Sequence, residues 1–123
     1  ALVTGASSGL GRAMASALTS HGCHVWLAAR RVAQLEQAAS KEMHGRATVV
    51  QADLSSLQGV ERLAETVLAS SNPPDILINA AGVNLRQPVE EVTAESWEQQ
   101  LFLNLTVPFF LSRRLASSHM KPN

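Results

Sequence analysis

The stretch Thr4-Gly5-Ala6-Ser7-Ser8-Gly9-Leu10-Gly11 is the first place where residue type and spacing imply chemistry. Its glycines follow the apolar Leu2-Val3 and precede residues at helical spacing. Gly5 permits a tight turn, Gly9 lets the backbone approach a pyrophosphate, and Gly11 lets the helix pack closely on a sheet. The free N–H groups at the helix start then face a ligand's negative charge. Ser7 and Ser8 add hydroxyl donors. A merely structural glycine turn is the alternative, and the strand before and helix after favour the phosphate reading. The spacing is G-x-x-x-G-x-G, neither G-x-G-x-x-G nor a lysine-bearing phosphate loop, which disfavours an ATPase.

Three further groups extend this site. Where a dinucleotide fold meets the adenosine ribose, Leu27-Ala28-Ala29-Arg30-Arg31 offers no carboxylate. Arg30 and Arg31 can instead grip a phosphate through their forked donors, so NADP(H) is favoured over NAD(H). Both arginines standing in solvent at the next helix is the alternative, and it suits Arg31 better. Arg12, just past the turn, can assist or face solvent. Asp53 can accept a hydrogen bond from an adenine amino group, with the Leu54 backbone as its companion; a carboxylate facing a helix dipole is the alternative. Asn79-Ala80-Ala81-Gly82 offers small side chains past which a ribose or flat ring can approach the backbone.

The elements that must hold these groups alternate between strand and helix. Residues 1–4 read as a strand, 10–20 as a helix ending at Gly22, 23–28 as a strand, and 31–43 as a helix ending at Gly45. Residues 47–51 read as a strand. A helix capped by Ser55 or Ser56 follows, with Leu57, Val60, Leu63, Ala64, Val67 and Leu68 on its buried side, and Pro73-Pro74 breaks it. Residues 75–79 form a fourth strand, apolar on both faces as in a helix-covered parallel sheet. After a loop over 80–92, Thr93 or Ser96 caps a helix on which Trp97, Leu101, Leu105 and Phe109 recur at steps of four, and Pro108 bends it. The pattern predicts an α/β, doubly wound parallel sheet of Rossmann type, strand order 3-2-1-4, with a crevice between strands 1 and 4 where both small-residue loops end.

Composition narrows the classes. With 123 residues, 46% hydrophobic and 16% charged, the chain fits one globular domain. Ten basic against ten acidic residues leave no field for a nucleic-acid partner. No apolar run is long enough for a membrane segment, and no secretory leader is expected in this stretch. A single Cys points to a reducing, cytoplasmic setting. His21, Cys23 and His24 offer three ligands without a fourth, and Cys23 and His24 start a strand on opposite faces, so no metal is expected. Asn104-Leu105-Thr106 has the form of a glycosylation acceptor but lies within a helix, so modification is not expected. Residues 113–123 read as a helix end fraying into a tail.

In their order, the glycine turn, Asp53, Asn79-Ala80-Ala81-Gly82 and Asn104 resemble the classical branch of the short-chain dehydrogenase/reductase family, over essentially the whole chain. The resemblance implies that Gly5, Ser7, Gly9, Leu10 and Gly11 surround the cofactor phosphates, that Arg30 selects NADP, and that Asp53 and Leu54 contact adenine. It implies that Asn79 braces the central sheet and that Ala80, Ala81 and Gly82 line the ribose and nicotinamide side. Asn104 corresponds to the asparagine of a catalytic tetrad, on a kinked helix, holding a water that leads to the catalytic lysine.

The implied reaction is NADP(H)-dependent carbonyl reduction or alcohol oxidation on a small molecule, by a homodimer or homotetramer. The family's catalytic Ser and Tyr-x-x-x-Lys would fall beyond residue 123: the chain has no Tyr, and Lys41 and Lys121 lie elsewhere. The resemblance is therefore to an incomplete NAD(P)-binding domain, 1–123, truncated before the fifth strand, which leaves Ile76, Leu77 and Ile78 on an open edge. A catalytically inactive shortened isoform that binds NADP(H) or pairs with a full-length subunit is the alternative. The family's Asn104 helix often lies at a dimer interface, where Trp97, Phe109 and Phe110 can make apolar contacts; intrachain core is the other reading. Asn84, Leu85 and Arg86 are placed to edge a pocket whose substrate stays open.

Overall fold

The computed structural model describes residues 1–43 and 45–120. Its elements are β1 (Leu2–Thr4), α1 (Gly9–Ser20), β2 (Val25–Ala29), α2 (Val32–Glu42), β3 (Ala47–Gln51), α3 (Leu57–Leu68), β4 (Leu77–Asn79), α4 (Ala94–Leu101) and α5 (Val107–Ser118). A 3-10 turn (Val89–Glu91) precedes α4, and a π-helical turn (Phe102–Thr106) joins α4 to α5. The four strands form one parallel sheet in the order β3-β2-β1-β4. In β1, Val3 stands between Leu27 of β2 and Ile78 of β4.

Alternation along the strands splits the core into two layers. Leu2 and Ala28 face Val60, Leu63, Val67, Val107, Leu111 and Leu115 of α3 and α5. Val3, Val25 and Leu27 face Ala15, Leu35 and Met43 on the side of α1 and α2. Successive strand side chains point to opposite faces, so each three-residue run in β1 and β2 feeds both layers. An ion pair from Arg114 Nε to Glu61 Oε1 (2.6 Å) ties α5 to α3.

Several boundaries differ from the sequence reading. β2 begins at Val25, so Cys23 and His24 precede it; the His24 ring pairs with the Thr48 hydroxyl at 2.9 Å. β4 begins at Leu77, although the Ile76 carbonyl already accepts from Leu2 N–H (2.8 Å). The fourth strand is covered less completely than its apolar run implies: it is the sheet edge, and Ile76 is exposed. Ser56, rather than Ser55, caps α3, accepting from Gly59 N–H. Leu57 is exposed because it opens the helix off the stripe formed by Val60, Leu63, Ala64 and Val67. Gly22 and Gly45, the expected helix stops, both take left-handed φ (86° and 74°). The expected tail holds helix to Ser118, and residues 121–123 lie outside the described residues.

Candidate cofactor-binding site

The sheet order sends β1 and β4 into neighbouring loops, which interlock at their root. Gly5 has φ 63°, and a Cβ there would stand 2.7 Å from Ala81 N and 2.8 Å from the Ala80 carbonyl. Only glycine satisfies both the backbone angle and that contact. Gly11 is packed just as closely, but not on the sheet as its spacing suggests: a Cβ would overlap the Gly5 carbonyl and sit 3.2 Å from Ala80 Cβ. The helix packs on its own turn and on the β4 loop. Thr4, buried at the end of β1, completes the joint. Its hydroxyl accepts from Ala81 N–H (3.1 Å) and donates to the Ile78 carbonyl (3.5 Å). The sequence reading gave Thr4 no role; a polar residue ending an apolar strand was the available signal.

The N-terminus of α1 opens on this joint. Helix-start N–H groups have no intrahelical acceptor. In α3 and α4 a hydroxyl takes one of them: Ser56 accepts from Gly59 N–H and Thr93 from Ser96 N–H. Ser8 occupies the same position in α1 with extended backbone, yet its side chain caps nothing, and no acidic residue lies in the first turn. Gly9 has φ 55° with open space where a Cβ would be. Ser7 is half-buried, while Ser8, Gly9 and Leu10 are exposed. An uncapped positive helix end beside open glycine backbone has the donor set that a pyrophosphate needs.

On the neighbouring β2 and β3 ends, Arg30 and Arg31 are both exposed. The Arg30 carbonyl accepts from Gln51 Nε2 (3.3 Å), and Arg31 stands at the N-cap position of α2 without a side-chain cap. Arg12 is committed elsewhere. It makes a two-point ion pair with Glu42, with Nε to Oε2 at 3.1 Å and the terminal nitrogen on Oε1. Of the two readings for Arg12, assisting a phosphate or standing in solvent, the structure shows a partly exposed guanidinium held by Glu42.

Asp53 is exposed and Leu54 buried. Asp53 Oδ1 accepts from Ser55 N–H (3.0 Å). The Ser55 hydroxyl and amide, with Arg30 and Arg62 nearby, hold the Asp53 carboxyl below its ordinary range. Gly59, unremarked in the sequence, is the reason this turn can exist: a Cβ there would overlap the Asp53 carbonyl oxygen.

Beyond β4, Asn79 is exposed at the sheet edge and donates from Nδ2 to Ser112 Oγ of α5 (3.3 Å). Asn104 lies in the π-helical turn, four residues before Pro108, whose missing N–H removes the ladder bond to the Asn104 carbonyl. Its carboxamide exchanges two bonds with one residue: Val83 N–H to Oδ1 at 2.8 Å and Nδ2 to the Val83 carbonyl at 2.7 Å. Gly82 lies against the same oxygen, with a Cβ position 3.1 Å away. Asn104 thus holds the loop that leaves β4.

Comparison with known proteins agrees with this geometry. The short chain dehydrogenase family matches residues 1–123. Gluconate 5-dehydrogenase of Gluconobacter oxydans is 35% identical over 124 residues, covering 99% of this chain and 48% of that enzyme. A metagenomic short-chain oxidoreductase in complex with NADP superposes with a TM-score of 0.88 at 34% identity, covering 96% of this chain and 55% of that one. L-sorbose reductase from Gluconobacter frateurii, complexed with NADPH and L-sorbose, superposes with a TM-score of 0.88 at 32% identity, covering 97% of this chain and 46% of that one. The chain spans about half the length of such relatives. With this sheet order, these interlocked loops and a family match along its whole length, the chain belongs to the short chain dehydrogenase family.

Proposed function

We propose that these residues hold NADP(H) for an oxidoreductase that reduces a carbonyl or oxidises an alcohol on a small molecule. The observation that carries this is the uncapped α1 N-terminus opening where the β1 and β4 loops interlock. In this reading the backbone of Gly5, Ser7, Ser8, Gly9, Leu10 and Gly11 cradles the phosphates. Asp53 and Leu54 meet adenine, and Ala80, Ala81 and Gly82 border the ribose and nicotinamide, with Asn79 bracing their strand and Asn104 fixing the loop behind them. When bound, the cofactor supplies or accepts the hydride. Exposed Arg30, with Arg31 beside it and no carboxylate on that strand end, favours a 2′-phosphate. Two of the solved relatives above hold NADP or NADPH.

The family's proton chemistry uses a tyrosine phenol, and the 123 residues contain no Tyr. That favours a second reading for the chain by itself: it binds NADP(H), or pairs with a full-length subunit, and turns nothing over. A homodimer or homotetramer is the assembly proposed in either case.

Titration with NADPH and NADH, followed by calorimetry, tests the cofactor assignment. NADPH binds more tightly than NADH, and Arg30→Ala raises the NADPH Kd about 10- to 100-fold, as loss of a charge-assisted hydrogen bond implies. The NADH Kd moves little. Equal losses for both cofactors would show that Arg30 does not read the 2′-phosphate. Hydride transfer to a model carbonyl by the purified chain would exclude the binding-only reading.

A further inference from the structure

We propose that Gln100 is a positioning residue for the nicotinamide side of the site, acting with Asn104 to hold segment 83–85 in place; this rests on the NADP(H) reading above. Gln100 Oε1 accepts from Leu85 N–H at 3.0 Å. Its Nε2 donates to the Ser96 carbonyl one turn earlier, at 3.4 Å, which fixes which end of the carboxamide faces Leu85. Ser96 is itself locked. Its hydroxyl accepts from Thr93 N–H while Thr93 Oγ1 accepts from Ser96 N–H, both at 3.1 Å. Leu85 N–H is therefore tied through Gln100 to the helix cap of α4, a rigid point.

The two carboxamides form a ladder. Asn104 takes Val83 and Gln100 takes Leu85, so the segment runs opposite to the helix. Four helical residues rise about 6 Å. Two extended residues cover about 6.5–7 Å and present their N–H groups to the same edge. The spacings match closely enough that two side chains of one helix can serve as the neighbouring strand for a loop that has none. Asn104 alone is a single pivot at Val83. Gln100 adds the second point, and two points fix the direction in which the chain leaves Gly82. In the proposed reading, Ala80 to Gly82 border the nicotinamide ribose, so the ladder orders that wall before ligand arrives.

The test splits the cofactor. The parent chain, Gln100→Leu and Gln100→Glu are titrated with NADPH and with adenosine 2′,5′-bisphosphate, which lacks both the nicotinamide and its ribose. Gln100→Leu is expected to raise the NADPH Kd about 2- to 10-fold and leave the adenosine 2′,5′-bisphosphate Kd unchanged. Amide exchange quickens at Leu85 more than at Val83. Gln100→Glu retains the acceptor and stays within about twofold of the parent. Gln100→Asn, one methylene shorter, repeats the measurement if the leucine variant does not fold. Unchanged NADPH affinity, or equal weakening of both ligands, overturns the Gln100 assignment and leaves the NADP(H) reading intact. Failure of the parent chain to bind either ligand overturns that reading, and Gln100 with it.

Discussion

Two exposed carboxylates near the site are held below their ordinary range by neighbouring donors. The Arg12 guanidinium, hydrogen-bonded to both oxygens of Glu42, holds that carboxyl below its ordinary range. The Ser55 hydroxyl and amide do the same for Asp53. A folded pKa below the unfolded one means that the native state favours the ionised form. The stability this lends is complete above the ordinary carboxyl range, near about pH 4. It is lost as pH falls through the depressed values. Both groups face solvent, so each contribution is small and screened by salt. The urea midpoint is expected to hold from neutral pH down to about 4 and fall below it, and Glu42→Gln flattens part of that fall; an identical acid limb in the variant would show that the Arg12 pair contributes nothing. The same residues show what a sequence reveals. Gly5 was legible because its constraint is local, a left-handed φ in a turn. Arg12 was not, because its partner lies 30 residues away on another helix. Thr4 bonds Ala81, 77 residues on; a polar side chain ending an apolar strand signals that a partner exists but not which one.

The helices were legible as periods but not as faces. In α3 the apolar spacing located Val60, Leu63, Ala64 and Val67 correctly, because the helix packs on the sheet and against α5. In α1, of the residues at helical spacing, Leu10, Ala13, Met14 and Ala17 are exposed and Leu18 alone packs on the core, while Gly11, Ala15 and Thr19 are buried. Periodicity shows that a helix has two sides; small residues chose the inward one here, since α1 must lie close against the glycine turn. The interruption before Pro108 was likewise legible from the missing N–H, whereas its form, a π-helical turn presenting Asn104 to Val83, required the loop to be in place. Gly59 turns such a contact into a test. It seats the first turn of α3 on the Asp53 carbonyl, where a methyl group would overlap. Gly59→Ala must push helix and turn apart and is expected to cost about 1–3 kcal/mol, the range for overpacking, read from chemical denaturation. Because Asp53 and Leu54 move with the turn, affinity for 2′-phospho-ADP-ribose falls as well. A variant as stable as the parent would mean that α3 can shift without disturbing the adenine side.

Among the described residues, two of the exposed apolar surfaces differ in kind. One is the edge of β4, paired only with β1, where Ile76 is 44% exposed. The other is the stripe of Trp97, Leu101, Leu105 and Phe109 running from α4 through the π-helical turn into α5, with exposures of 57%, 41%, 63% and 60%. Of the three residues read as interface or intrachain core, Trp97 and Phe109 stand exposed, whereas Phe110 is half-buried and packs on the core with Val107, Leu111 and Leu115. Four large side chains on one helical face form a contiguous apolar surface, which favours contact with another chain. A symmetric pair of such faces buries the stripe of both copies at one interface. The chain is therefore expected to associate with itself, as the proposed oligomer requires, and sedimentation across a concentration series reads this directly. Placing charges at Leu105 and Phe109 together removes apolar burial worth about 1.5–3 kcal/mol for each side chain. Leu105→Glu/Phe109→Glu should weaken association about 100-fold or more, with helix content unchanged because neither side chain is in the core. Trp97 fluorescence shifts toward that of a solvated indole as the pairs separate. If the double variant associates as strongly as the parent, the stripe is not the contact, and the unpaired side of β4, to which the Leu77 N–H points, becomes the surface to block, with Leu77→Pro as the next substitution.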